Sequence, residues 1–222
     1  MVSVLAVAGA SSVYAQQSAT INFDTEANWS AQTSPTSVSL TSYASGHSYT
    51  QSNWRFTGGP ALRNTTTTQD GFAGALGTYS WRLRDGLTVS FTGTYTAALA
   101  PNERFTGFSF DARRWDGSPS PAYTVSYSFN GGTSWTTTTL GTSGVLDNAA
   151  FGNVSSWSTF SQSVSSSVGL SANQFIVRFS ATTGERIMID NFSFTTAIPE
   201  PSSFAALAGL GMLGFCMTRR RR

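Results

Sequence analysis

The sequence predicts an all-β domain, built as a jelly-roll-like antiparallel β-sandwich. Its composition favours strands, because aromatic residues make up 13% of the chain and Ser, Thr and Gly are abundant. Apolar and polar side chains alternate along Tyr123–Phe129, and the turn-forming run Asn130-Gly131-Gly132 follows at once. Between residues 16 and 197 no segment shows convincing helical periodicity. Short strands with one wet face, joined by polar turns, favour two packed antiparallel sheets.

Further strands follow from the same alternation of apolar and polar side chains. The run after the Asn-Gly-Gly turn is interpreted as the returning strand of a hairpin. The predicted strands, besides Tyr123–Phe129, are Leu87–Phe91, Phe105–Phe110, Trp135–Leu140 and Phe175–Phe179.

The closing strand carries a change of phase. Ile187 and Ile189 occupy odd positions, whereas Phe192 and Phe194 occupy even positions. The inward-facing phase therefore shifts by one residue across Asp190-Asn191, which predicts a β-bulge there.

The beginning of the chain is typical of the later part of a secretory signal peptide. Met1–Gly9 is apolar, and Val13-Tyr14-Ala15 places small residues at the −3 and −1 positions of a cleavage site. The basic front region is missing, so we expect a truncated or weak signal over residues 1–15, with a buried strand as the alternative. Cleavage after Ala15 leaves a β-sandwich domain over residues 16–197.

The end of the chain, residues 198–222, has three parts in a fixed order. Pro199-Glu200-Pro201 favours an extended backbone, because each proline restricts the residue before it. The apolar run Phe204–Met217 would span about 21 Å as a helix, short of a hydrocarbon core of roughly 30 Å. Insertion with bilayer thinning would keep Arg219–Arg222 cytoplasmic. The membrane-facing and orienting residues of this short transmembrane helix are Phe204, Leu207, Leu210, Leu213, Phe215, Arg219, Arg220, Arg221 and Arg222.

In this order the motif, helix and Arg cluster resemble the PEP-CTERM sorting signal of Gram-negative bacteria. The resemblance covers about the last 25 residues, and Pro199, Glu200 and Pro201 form its motif. It implies export by the secretion machinery, anchoring in the inner membrane before processing, and removal of the tail by an exosortase. It also implies a host that makes exopolysaccharide. An ordinary C-terminal anchor is the alternative.

The body of the chain loosely resembles jelly-roll carbohydrate-binding modules and lectin-like domains. The segments Tyr123–Trp135 and Arg186–Thr195 carry this resemblance. It implies a structural Ca²⁺ that joins the first strand to the last through Asp24, Glu26 and Asp190. Under the alternative interpretation Asp190 caps a turn and the two N-terminal acids are solvated.

Two aromatic and basic clusters are candidate sugar-binding sites. Trp115 lies in a polar, turn-forming segment beside Arg113, Arg114 and Asp116, so we expect its ring to be exposed. Trp81 belongs to a second cluster with neighbouring arginines. Under the alternative interpretation both tryptophans belong to the core, as most tryptophans in a sandwich do.

Charge and residue inventory argue against several function classes. All 13 basic residues are Arg, and nine arginines and ten acids precede Glu200, so the body carries a formal charge of −1. The sequence has no basic stripe of the kind that would predict a nucleic-acid interface. The only cysteine, Cys216, excludes a disulfide within the chain. The only histidine, His47, has no catalytic neighbour, and no catalytic motif is recognisable.

The sequence therefore predicts an exported, non-catalytic protein of the cell surface or extracellular matrix. The sorting tail indicates association with exopolysaccharide and biofilm. The alternatives are a dedicated carbohydrate-binding module, stabilised by Ca²⁺, and more remotely a glycan-cleaving enzyme that uses paired carboxylates.

Overall fold

Two antiparallel β-sheets and a small hairpin form the domain, which confirms the predicted all-β sandwich. The structure, a computed structural model, describes residues 18–30, 48–58, 61–66, 68–83, 90–115, 120–183 and 186–198. The only helix in these ranges is the 3₁₀ turn Glu26–Asn28. The strands are β1 (Ser18–Ile21), β2 (Trp29–Ser30), β3 (Ser48–Gln51), β4 (Trp54–Thr57), β5 (Ala61–Asn64), β6 (Thr68–Gln69), β7 (Phe72–Ala73), β8 (Tyr79–Leu83), β9 (Phe91–Tyr95), β10 (Arg104–Arg114), β11 (Ala122–Ser128), β12 (Thr136–Thr137), β13 (Val145–Leu146), β14 (Ser158–Ser163), β15 (Ile176–Thr183) and β16 (Ile187–Ala197).

The first sheet has the strand order β14-β10-β16-β8-β5, with β1 also paired to β16. The second sheet has the order β12-β11-β15-β9-β4-β3-β2, with β13 also paired to β11. Strands β6 and β7 form a separate hairpin. Ser18 lies opposite Thr195 and Ile21 lies opposite Phe192, so the first strand closes against the last.

The core between the sheets is predominantly aromatic. Each sheet turns alternate side chains inward, and Trp54 at the centre is fully buried. Its ring lies 4.7 Å from that of Phe192 and 5.4 Å from that of Phe175, centroid to centroid. Since the body contains no cysteine, this packing takes the place of disulfides.

The predicted bulge in the closing strand is confirmed. Ser109 pairs with Ser193, and Asp111 pairs with Asp190. Two residues of β16 therefore lie opposite a single residue of β10. Asn191, within the bulge, has φ of 45°, in the left-handed region that Asn tolerates best after Gly.

The predicted strands occupy their expected places, but β10 and β15 are longer than predicted and β12 is shorter. Tyr123–Phe129 and Phe105–Phe110 lie in or beside β11 and β10, and Phe175–Phe179 coincides with the start of β15. The strand predicted over Trp135–Leu140 contains only the two residues of β12, because the preceding turn is longer than a two-residue hairpin. Residues 87–89, the first part of the predicted Leu87–Phe91 strand, lie outside the described residues.

Within the described ranges, no helix has the length and apolar character needed to cross a membrane. The predicted signal peptide and the predicted helix Phe204–Met217 lie outside those ranges. Both stay predictions.

Candidate functional site

Trp115, the predicted sugar platform, is buried. It follows the last residue of β10, is only 5% exposed, and donates its backbone N–H to the Arg186 carbonyl at 2.7 Å. Three guanidinium groups surround its ring, with their central carbons 5.5, 5.8 and 5.2 Å from the centroid for Arg63, Arg82 and Arg113. The expectation of an exposed Trp115 is therefore wrong, because cation–π contacts cover the ring.

The other members of the predicted sugar clusters have structural contacts. Arg113 is fully buried and donates to the carbonyls of Ala73 and Gln69, each at 2.9 Å, which holds the β6–β7 hairpin on the first sheet. Arg114 donates to the Ser155 hydroxyl at 3.2 Å. Asp116 lies outside the described residues.

Trp81 lies in the core rather than at the surface. Its side chain is fully buried, and its ring lies 4.9 Å from that of Trp29 and 4.8 Å from that of Phe91. The core interpretation of Trp81 is therefore correct, and the ring cannot stack on a ligand in solvent.

The N-terminal carboxylates predicted to bind metal contact the β7–β8 loop. Asp24 accepts the backbone N–H of Tyr79 at 3.0 Å, and Glu26 accepts the Tyr79 hydroxyl at 2.7 Å. The Asp24 carboxylate lies so close to Gly77 that a Cβ on Gly77 would overlap it. The loop is thus fastened to the segment that follows β1.

Asp190 lies at the bulge and is fully buried. Its carboxylate accepts the backbone N–H groups of Leu76 and Asn191, both at 2.8 Å. Burial raises the pKa of Asp190 to about 7; the two N–H groups oppose that rise, and the charges of Asp24 and Asp111 add to it.

These carboxylates offer hard oxygens, the ligands that Ca²⁺ prefers. The negative charges of Asp24 and Asp111 oppose ionisation of Asp190. A bound cation would reduce this repulsion. Among the described residues, however, no group of three or more His, Cys, Asp or Glu side chains is placed to hold a metal ion. Carbonyl or water ligands would have to complete the site, and the calcium site stays a prediction.

The outer face of the second sheet presents a different cluster. Along β9 the side chains of Thr92 and Thr94 alternate with buried neighbours, and along β15 Arg178 stands between the buried Val177 and Phe179. Arg178 lies opposite Thr92 in register, so both face outward from the sheet.

A turn after β11 brings an aromatic ring onto this face. The Ser128 hydroxyl accepts the backbone N–H groups of Asn130 and Gly132 at 3.2 and 2.9 Å, which folds the turn over the sheet. Gly132 has φ of 87°, and a Cβ there would approach the Trp135 ring to 3.2 Å. Trp135 is partly exposed, and the Arg178 guanidinium lies 3.8 Å from its ring centroid.

We call this surface the Trp135–Arg178 face. It combines a partly exposed aromatic ring, two arginines, three hydroxyls and one aliphatic side chain, all with some exposure to solvent. Its members are Arg55, Thr57, Thr92, Thr94, Trp135, Ile176 and Arg178.

Sequence reasoning missed this face because it assigned Trp135 to a returning strand. Two signals were present in the sequence. An aromatic residue follows the Gly131-Gly132 turn closely, and Arg178 occupies the outward phase between Val177 and Phe179. The contact between Trp135 and Arg178 depends on the path of the turn, which periodicity does not reveal.

The comparisons with known proteins identify the end of the chain. Residues 197–222 match the PEP-CTERM protein-sorting motif family. No curated protein sequence matches the chain.

Several solved structures are similar to the body of the chain. A xylan-binding family 22 carbohydrate-binding module from Paenibacillus barcinonensis is 15% identical, with 71% of this chain and 92% of that chain covered and a TM-score of 0.42. The carbohydrate-binding and catalytic modules of a Clostridium thermocellum xylanase, complexed with xylohexaose, are 12% identical, with 72% and 27% covered and a TM-score of 0.39. A cleaved adhesin domain of Lys-gingipain is 14% identical, with 80% and 99% covered and a TM-score of 0.41.

This chain spans about a quarter of the xylanase structure that it matches. The match to the sorting-motif family runs from Ala197 to Arg222. It includes Pro199-Glu200-Pro201 and the terminal arginines. The chain therefore carries a PEP-CTERM sorting motif, which indicates export and sorting to the cell surface through an exosortase.

Proposed function

We propose that this protein is a non-catalytic component of the cell surface or extracellular matrix that associates with polysaccharide secreted by its host. The observation that carries the proposal is the position of the sorting motif. The match begins at Ala197, the last residue of β16, so the sorting signal is joined directly to the folded sandwich.

The end of β16 is firmly held in the first sheet. Ala197 lies opposite Arg104, and the Thr196 hydroxyl donates to the Glu103 carboxylate, with both Thr196 and Glu103 buried. In the sequence, Pro199 comes two residues after Ala197, so the motif begins almost immediately after β16. Cutting near this motif would free the domain from the anchoring helix and leave β16 intact.

The Trp135–Arg178 face supports the association with polysaccharide. Sugar rings pack on aromatic side chains, and their hydroxyls pair with planar polar groups and hydroxyl side chains. Trp135, Arg178 and the neighbouring threonines supply these groups on one surface. Trp135 therefore replaces the buried Trp115 as the candidate sugar contact.

The test is co-sedimentation of the full chain, kept in detergent, with exopolysaccharide purified from the host. We expect saturable binding that Trp135→Ala reduces at least tenfold. The matched control is Phe72→Ala, since Phe72 is an exposed aromatic residue on the β6–β7 hairpin, away from this face. Absence of binding by the unsubstituted protein would contradict the association with polysaccharide.

The second candidate function, a lectin-like module stabilised by Ca²⁺, is favoured by the Asp24 and Asp190 carboxylates near the bulge. In that case Ca²⁺ at pH 7.5 would raise the melting temperature of the protein and leave that of Asp190→Asn unchanged. Equal melting temperatures of the unsubstituted protein in Ca²⁺ and in chelator would rule out the metal.

We also propose that the protein does not cleave the glycan that it binds. Asp111 and Asp190 lie opposite each other, but Asp190 is fully buried and the Asp111 carboxylate accepts the Asn191 side-chain amide at 2.9 Å. A glycosidase needs both carboxyl groups in contact with the substrate. Release of reducing ends from the host polysaccharide would contradict this part of the proposal.

A further inference from the structure

We propose that the Trp135–Arg178 face binds an acidic polysaccharide, one whose sugars carry carboxylates, and that Arg178 is the residue that contacts the carboxylate. This inference rests on the proposed function and names the chemical class of its ligand. Three observations on the second sheet carry it: the state of Arg178, its contact with Trp135, and a second arginine with no acid among the described members of the face.

Arg178 has hydrogen-bond donors to offer, and no acid among the described residues receives them. It stands on β15, between β11 and β9, with its Nε atom buried and without a hydrogen-bond partner. Within the described part of the chain it forms no ion pair. The side chain as a whole is partly exposed, so the terminal amino groups of the guanidinium are the donors that a ligand can reach.

Trp135 holds this guanidinium in place. The 3.8 Å separation from the indole centroid is a close cation–π contact, which limits the freedom of a long side chain. A guanidinium positioned in advance loses less conformational entropy when it binds. Its planar donors match the two oxygens of a carboxylate, which makes a carboxylate its preferred partner.

The rest of the face is basic and free of acids. Arg55 is exposed and likewise forms no ion pair with the described residues. Arg55 and Arg178 are separated by β9 and by two residues along the strands, which places their Cα atoms about 12 Å apart in a flat sheet. The pair can therefore contact two carboxylates of one extended chain.

The first sheet carries charges of both signs, with arginines in β5, β8 and β10 beside its acids. Asp24, Asp111 and Asp190 cluster at the first sheet, where each of the other two carboxylates raises the pKa of Asp190. The segment before Glu200 has a formal charge of −1, so the acid-free face with two arginines departs from the average of the domain. Both charged members of the Trp135–Arg178 face are arginines, so an acidic polymer is attracted to this face.

The experiment uses the full chain in detergent and the host exopolysaccharide in two forms, native and with its carboxyl groups reduced to alcohols. We expect at least tenfold weaker binding to the reduced form. We also expect weaker binding to the native form as salt rises from 50 to 300 mM, because exposed charges are increasingly screened.

Two substitutions make the test specific to the residue. Arg178→Gln should weaken binding to the native form at least tenfold, and Arg178→Lys should restore only part of it, because lysine keeps the charge without the planar fork. The matched control is Arg104→Gln, which removes the same charge from the first sheet. Melting temperatures show whether each variant is folded.

The outcomes separate this inference from the proposed function. Equal binding to native and reduced polysaccharide would overturn the acidic ligand and leave the association with polysaccharide standing. Unchanged binding by folded Arg178→Gln would overturn the role of Arg178. No binding to either form would overturn the proposed function itself.

Discussion

At the scale of single residues, Trp115 and Trp135 show how similar local sequences lead to different roles. Both lie beside polar, turn-forming residues, which follow Trp115 and precede Trp135. Trp115 is enclosed by three guanidinium groups, however, whereas Trp135 has one arginine at its ring and retains partial exposure. The first tryptophan should therefore contribute to stability and the second to binding.

Replacing Trp115 by Ala should lower the free energy of unfolding by about 3–5 kcal/mol, the usual range for a large buried aromatic residue. Replacing Trp135 by Ala should lower it by about 1 kcal/mol, because the ring is only partly buried. Urea unfolding of both variants measures the difference. Equal losses of stability would show that the two rings are packed alike.

Asp190 should make stability depend on pH in the metal-free protein. Its pKa is about 7 in the folded state, against 3.8 for an unperturbed carboxyl group. Between about pH 4 and pH 7 the folded state binds more protons than the unfolded state. The free energy of unfolding should therefore fall as pH rises through this window, by on the order of 4 kcal/mol at most.

Urea unfolding at pH 5 and pH 8, in chelator, tests this dependence. Asp190→Asn should reduce the difference between the two pH values, whatever its effect on absolute stability. Asp147→Asn is the control, since Asp147 accepts hydrogen bonds in a loop away from the bulge. The same pH dependence in Asp190→Asn and in the unsubstituted protein would show that another group is responsible.

At the scale of elements, Gly93 shows how closely β9 and the core fit together. A Cβ on Gly93 would lie 2.5 Å from Cε1 and 2.9 Å from Cδ1 of Phe56. Phe56 cannot easily move, because its ring packs on those of Phe23 and Phe192, with centroids 5.1 and 5.2 Å away. The glycine therefore makes room for an inward-facing aromatic ring.

Replacing Gly93 by Ala should lower the free energy of unfolding by about 1–3 kcal/mol, as overpacking of a core does. Gly107→Ala is the matched control, because a Cβ there meets its nearest atoms at 3.2 Å, at the Gln162 carbonyl and the Thr195 hydroxyl. A smaller loss in Gly107→Ala is expected. If Gly93→Ala is the milder of the two in urea unfolding, the packing argument fails.

Element by element, the sequence predicts strands better than it predicts turns. The bulge at Asp190-Asn191 was predictable, because a shift in the inward phase is visible in the spacing of Ile189 and Phe192. The short β12 was not, since side-chain hydrogen bonds of Ser128 and Asn130 lengthen the turn before it. Such bonds depend on the geometry of the turn and leave no period in the sequence.

The candidate site was harder to predict for the same reason. Asp24 and Asp190 were predictable as neighbours of the first and last strands, and those strands are paired. The exposure of a tryptophan depends on which distant residues cover it. Arg63 and Arg82 reach Trp115 from β5 and β8, and sequence spacing does not predict this.

At the scale of the whole molecule, the sorting motif follows directly on the last strand of the sandwich. Substituting both Pro199 and Pro201 by Ala should leave the tail uncut, so that full-length protein accumulates in the inner membrane of the host. Immunoblotting of membrane and extracellular fractions measures this. Pro101→Ala, an exposed proline in a loop before β10, is the control. Normal release of the doubly substituted protein would contradict processing at this motif.

We propose above all that the Trp135–Arg178 face binds the polysaccharide of the host. The most direct measurement is the affinity of the full chain for purified host exopolysaccharide, with the unsubstituted protein and Trp135→Ala compared under identical conditions. Saturable binding that Trp135→Ala weakens at least tenfold, while the variant keeps its fold, is the predicted result. Equal affinity of the two proteins would contradict the site, and no affinity in either would contradict the function.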